Sequence, residues 1–191
     1  MHAKYMLISM RIVLTGTPCT GKSAIAKELG KKLGCKLVYL NEIVNKKKLW
    51  KERDKFGSKL VQLKRLEKES NKIAAKEKNL IIEGHLACEL KIKKVDFVVV
   101  CRTNPKTLKR RLRERSYPKE KIENNLMSEL LDYCTILSLE NYKRVYEIET
   151  SKKLNENIHE ILGIVNGQRE DLKAGWVSWS RELRKAAMKA R

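Results

Sequence analysis

A chain of 191 residues is long enough for one α/β domain with a complete core and too short for two ordinary domains and a linker. Its net charge of +20, from 43 Lys+Arg against 23 Asp+Glu, exceeds what a small-molecule substrate demands. It suits an acidic or nucleic-acid partner, the plainer account being a lysine-rich solvated surface. Cys19, Cys35, Cys88, Cys101 and Cys134 lack C-x-x-C spacing, which argues against a disulfide framework or a zinc site. No apolar run reaches the roughly 18 to 20 residues of a membrane span, so a soluble, cytoplasmic protein without membrane contact is expected.

Met1 to Met10 read as an extension ahead of a first strand at Arg11 to Thr15. The run Gly16-Thr17-Pro18-Cys19-Thr20-Gly21-Lys22-Ser23 then satisfies G-x-x-x-x-G-K-[ST] at every fixed position. Between a strand and a helix, such a loop turns successive backbone N–H groups toward phosphate oxygens, and the helix N-terminus adds a favourable field. Lys22 is placed to reach the outer phosphates, and Ser23 offers a hydroxyl to the magnesium that accompanies the nucleotide.

Further strands are expected at Lys36 to Leu40, Leu80 to Glu83, Val95 to Arg102 and Tyr146 to Glu149, alternating with helical patterns as in a parallel sheet. Phe97-Val98-Val99-Val100 is apolar on both faces, as a central strand requires. Between Asn41 and Asn79, Leu60, Leu63 and Leu66 suggest one buried helical face, and Gly57-Ser58 suggests a turn between two helices. The strand Leu80 to Glu83 ends in Glu83-Gly84-His85: a carboxylate facing the phosphate loop that could hold magnesium-bound water or orient an attacking water, and an imidazole suited to proton exchange. A helix from Pro105 carries Arg110, Arg111, Arg113 and Arg115, guanidinium forks suited to the charge on a transferring phosphoryl group. Helix is expected to resume from Lys119 to Arg144, and a closing helix spans Asn155 to Val165. The basic tail from Gln168 to Arg191, with Trp176 and Trp179, is either an adhesive arm for RNA or a partner, or a cap on the core.

Taken together, GTPCTGKS, LIIEGH, VVVCRT and the stretch from Leu108 to Leu130 resemble the adenylate-kinase-like ATPases of the coilin-interacting nuclear ATPase type, also called adenylate kinase isoenzyme six. The likeness spans about Arg11 to Ile164 and rests most on Glu83-Gly84-His85 and on Arg111, Arg115, Tyr117, Asn125 and Glu129. It implies a three-layer P-loop NTP hydrolase fold with a nucleoside-monophosphate-kinase core, a flap over residues 41–79 and a short lid over residues 113–120. It also implies ATP with magnesium as ligand, adenylate kinase and ATPase activities, and a role in small-subunit ribosome maturation through an S11-type ribosomal protein and rRNA. In that assignment Lys22, Glu83, His85 and Arg115 are catalytic. Gly16 to Ser23 with Arg111 and Arg115 bind nucleotide, and Ser23 and Glu83 hold the metal.

Four positions depart from the family pattern. Glu83 stands where Asp is usual, Cys19 where Gly is common, Asn45 where an arginine grips the phosphate of AMP, and Gln62 where Asp is usual. Three readings follow: an assembly ATPase, a metabolic monophosphate kinase in which Arg102, Arg111 and Arg115 serve transfer to AMP, and a nucleotide-switched binding module with little turnover.

Overall fold

The computed structural model describes residues 9–189; the expected N-terminal extension through residue 8 and the last two residues of the tail lie outside them. Five strands form one parallel sheet: β1 (Met10–Thr15), β2 (Lys36–Tyr39), β5 (Asn79–Glu83), β6 (Phe97–Arg102) and β7 (Val145–Glu149). Their order is β2-β5-β1-β6-β7, so β1, which feeds the phosphate loop, sits at the centre. Leu14 lies in register with Glu83 on one side, and Thr15 with Val100 on the other, bringing the carboxyl ends of β5 and β6 beside the loop. That edge is where open parallel sheets bind ligands.

Alternation along the strands splits the core into two layers. Ile12, Leu14, Ile81, Val99 and Cys101 pack with Ile25 and Leu29 of α1 (Lys22–Leu33) and Ile158 and Ile161 of α7 (Leu154–Val165). Val13, Leu80, Ile82, Val98 and Val100 face Leu40 of α2 (Leu40–Lys46), Leu66 of α3 (Leu63–Lys76) and Cys134 of α6 (Tyr133–Asn141). The result is the expected α/β sandwich of three layers. Among the described residues no helix is long and apolar enough to cross a membrane.

Three local expectations are corrected. Between α2 and α3 lies an antiparallel hairpin, β3 (Trp50–Arg53) and β4 (Lys59–Val61), rather than a simple interhelical turn. Asp54 forces it: its Oδ1 accepts from the backbone N–H of Phe56 and of Ser58, each at 2.8 Å. Gly57 supplies the positive φ of 75° that closes the turn. Leu60 is therefore an exposed hairpin residue, while Leu66 is buried on α3.

The expected helix from Lys119 to Arg144 is two helices, α5 (Lys119–Leu130) and α6, and it ends before Arg144. Asp132, with φ 54°, breaks it, its carboxylate taken by the buried Arg102 guanidinium. α4 (Pro105–Glu114) begins as expected, with Asn104 Oδ1 accepting from the Lys106 N–H at 3.0 Å.

The tail folds back. Ala174 N–H donates to Val145 O at 2.9 Å, Val177 and Trp179 are buried, and α8 (Ser180–Lys189) packs against α5. Of the two expectations for these residues, the capping one describes this structure.

Candidate active site

The phosphate loop joins β1 to α1 under strong steric demand. A Cβ at Gly16 would lie 2.3 Å from Cys101 O of β6, so only glycine lets the loop leave the sheet at this point. Gly21, at φ 88°, closes it at the helix N-terminus. Cys19 has φ 70°, the left-handed backbone for which glycine is usual, so this chain carries a strained side chain within the loop.

Lys22 is buried and curls over the loop, its Nζ donating to Thr17 O at 2.9 Å and to Thr20 Oγ1 at 3.4 Å. The Thr20 hydroxyl also donates to Thr17 O, at 2.9 Å. Thr17 is held from behind: its hydroxyl donates to Glu129 Oε2 at 2.6 Å.

Ser23 Oγ donates to Glu83 Oε2 at 3.2 Å, bringing together the two residues singled out as metal ligands. Burial pushes the Glu83 carboxyl above its ordinary range, while the Lys22 ammonium and the Ser23 hydroxyl pull it down. A buried carboxylate with one hydroxyl beside it is a hard oxygen pair suited to magnesium. No group of three or more His, Cys, Asp or Glu side chains forms a metal cluster among the described residues. Two protein oxygens therefore fit a cation whose other ligands are phosphate and water, the usual condition of magnesium in nucleotide sites.

Gly84 has no room for a side chain, since a Cβ would meet that of Leu40 at 2.8 Å, and it turns the chain so that His85 enters the site. Burial, with Lys22 and Lys121 adding to it, lowers the His85 pKa to about 4, so the imidazole is neutral near pH 7. Arg111 Nη2 donates to Thr150 O at 2.9 Å, leaving Nη1 buried, without a hydrogen-bond partner, beside Gly21. Arg115, just past α4, is exposed and joins Lys22, Ser23, Glu83 and His85 around a cavity of about 250 Å³.

Pro18, Asn41, His85 and Tyr117 also wall a second cavity, of about 540 Å³, beneath the hairpin. It contains the cations that sequence reading missed: Arg53, Lys59 and Lys121. Lys59 donates to the Asn45 side-chain oxygen, so a cation stands beside the position where the resemblance leads to the expectation of an arginine. Alternation along the Gly57 turn was the available signal, and a helical reading of this segment hides it. Gln62 accepts from Arg65 at 3.0 Å just before α3, and Asn125 donates to Lys121 O at 2.6 Å.

One arginine is misplaced by the sequence reading. Arg102, expected to serve transfer, is buried behind the loop, with Nε to Glu129 Oε1 at 2.9 Å and Nη1 to Glu147 Oε1 at 2.5 Å. Burial works against its charge, and Glu129 and Glu147 more than offset that, raising its pKa.

A strand, a glycine-bounded loop, a Lys-Ser helix start and a carboxylate on the neighbouring strand define a P-loop domain. The AAA domain family matches residues 12–132, and the chain belongs to that family. Proteins of similar sequence include archaeal ones. The chain is 38% identical over 173 residues to a protein of Methanocaldococcus jannaschii named "Putative adenylate kinase", across 90% of this chain and 93% of that one. A protein of the same name from Pyrococcus furiosus is 35% identical over 179 residues, across 90% and 92% of the two chains. In fold the chain is similar to shikimate kinase from Acinetobacter baumannii, with TM-score 0.63 and 20% identity over 87% of this chain and 97% of that one. Deoxyadenosine kinase from M. mycoides gives TM-score 0.55 at 16% identity, covering 82% of this chain and 100% of that one.

Proposed function

We propose that the chain is a phosphotransferase that takes the γ-phosphoryl group of ATP, with magnesium, and passes it to AMP, with water as the competing acceptor. The observation that carries this reading is the junction of two cavities at Pro18, Asn41, His85 and Tyr117, one lined by the phosphate loop and one by flap cations. A donor phosphate on the loop and an acceptor phosphate under the hairpin would then meet across His85. The names of the archaeal relatives agree with this.

Loop N–H groups and Lys22 hold the β- and γ-phosphates, which requires Lys22 to exchange its loop carbonyl for phosphate oxygen. Ser23 and Glu83 would hold magnesium, which would supply charge neutralisation to the phosphates when bound. The free Nη1 of Arg111 and the exposed fork of Arg115 meet the charge that spreads over the transferring group. Neutral His85 orients the acceptor oxygen or a water through a ring nitrogen.

A finer role, assembly of the small ribosomal subunit through an S11-type ribosomal protein and rRNA, rests on the resemblance and on the +20 charge. One experiment addresses both levels: phosphate release and ADP formation measured with ATP-Mg alone, with AMP, and with the ribosomal protein. AMP-dependent ADP formation that Lys22→Ala reduces by at least ~100-fold supports the kinase. Partner-stimulated phosphate release without AMP supports the assembly ATPase. Turnover insensitive to Lys22→Ala overturns the site itself.

A further inference from the structure

Glu129, behind the phosphate loop, receives four donors from three parts of the chain. Its Oε2 accepts the Thr17 hydroxyl at 2.6 Å. Its Oε1 accepts Arg102 Nε at 2.9 Å, the backbone N–H of Thr103 at 3.0 Å and the indole N–H of Trp179 at 3.1 Å. The first three belong to the sheet edge and the loop; the fourth is in the C-terminal segment.

Trp179 does more at this point than fill space. Its ring stands 6.0 Å over the Arg102 guanidinium and, buried itself, keeps water from the carboxylate. The segment that carries it is tied down independently. Gly175 and Val177 donate backbone N–H groups to Glu147 Oε2 at 2.8 and 3.2 Å, and the Trp176 indole donates to Glu147 O at 2.9 Å. Arg102 links Glu147 to Glu129, so the loop and the tail share one buried charge network.

A carboxylate that accepts three bonds on one oxygen cannot rotate, and its other oxygen is thereby aimed at Thr17. The carbonyl of the same Thr17 holds Lys22. We infer that Trp179 is a positioning residue of the nucleotide site: through Glu129 and Thr17 it fixes the phosphate loop, so that the C-terminal segment and ATP stabilise each other. This inference rests on the reading of the loop as an ATP site. Linkage makes the effect reciprocal, because a segment that tightens ATP must itself be tightened by ATP to the same extent.

Trp179→Phe removes the indole N–H and keeps an aromatic ring over Arg102. Loss of one bond to a buried charged group is expected to raise KM for ATP about tenfold, with kcat changed less than twofold. In the wild type, a non-hydrolysable ATP analogue with magnesium should slow amide hydrogen exchange across residues 176–185. Thr17→Val should lose that protection, and Thr17→Ser, which keeps the hydroxyl, should retain it. If the wild type does not bind the analogue, the ATP reading fails and the inference with it. If it binds but tail exchange is unchanged, or Trp179→Phe has the wild-type KM, the positioning role is overturned while the ATP site stands. A lower melting temperature with kcat reduced and KM unchanged marks a merely structural cap and also overturns it. Should Trp179→Phe not fold, the exchange measurement on wild type and the two Thr17 variants decides alone.

Discussion

Single residues carry the sharpest chemistry of this site, and His85 has a definite sign. Its folded pKa of about 4 lies below the ordinary value of 6.5, so between these values the unfolded chain binds more protons than the folded one. Stability from the neutral imidazole is therefore complete above the unfolded pKa and is lost as pH falls through the folded one. His85→Gln keeps a polar side chain without the titration. Its urea-unfolding free energy should fall less than that of the wild type between pH 7 and pH 4.5, by about 1–2 kcal/mol after allowance for partial exposure. An identical pH dependence would show that His85 titrates normally. Cys19 allows an independent residue-scale test because it lines the phosphate cavity. Alkylation of its thiol should slow at least ~10-fold when ATP-Mg occupies the loop, read by mass spectrometry of the Cys19 peptide. Cys88, Cys101 and Cys134 are buried and serve as unreactive internal references.

Among the elements, the β3–β4 hairpin decides what enters the second cavity, and it is joined to the start of α5. Lys55 pairs with Glu120, and Lys121 Nζ donates to Ser58 Oγ at 2.7 Å. Lys59, on β4, points into the cavity beside Asn45. Lys59→Ala should raise KM for AMP by about tenfold and leave KM for ATP within a factor of two, as read from initial rates with each nucleotide varied in turn. Equal effects on both would place Lys59 outside the acceptor site. The same hairpin marks the limit of sequence reading. The five sheet strands were legible because each is a short apolar run feeding a loop or helix, and Gly16 to Ser23 was legible because its positions are fixed in sequence. Glu83 and Ser23 could be paired in advance because Glu83 ends β5 and Ser23 opens the helix that follows the phosphate loop, both at the carboxyl edge of the sheet. The hairpin was overlooked because its turn depends on the Asp54 side chain and its strands are short and charged, so the alternation flanking Gly57 is too weak to displace a helical reading. Arg102 was misread for a different reason: its identity suggests phosphate, and only Glu129 and Asp132 at the end of α5 and Glu147 on β7, brought in from two distant segments, reveal a buried role.

On the scale of the whole molecule, that buried guanidinium joins what the sheet alone leaves apart. The chain carries a net charge of +20, yet it sequesters one cation among carboxylates from α5, from the α5–α6 junction and from β7. Surface lysines repel one another through water and screening salt, at a cost that falls with ionic strength. Arg102, Glu129 and Glu147 are inaccessible to that screening, unlike the half-exposed Asp132, and their desolvation is offset only while the set is complete. Removing the cation leaves Glu129 and Glu147 buried without a counter-charge and frees Asp132 from the left-handed turn between α5 and α6. Arg102→Met should therefore lower the unfolding free energy by about 3–5 kcal/mol, measured by urea titration at moderate and high salt. Glu147→Gln preserves an oxygen for the Gly175 and Val177 N–H groups while removing one of the stranded charges. The double variant Arg102→Met/Glu147→Gln should consequently be more stable than the sum of the two single changes predicts, by about 1–3 kcal/mol. Additive losses would mean that Arg102 acts through packing alone, and that loop, helix junction and tail are stabilised separately.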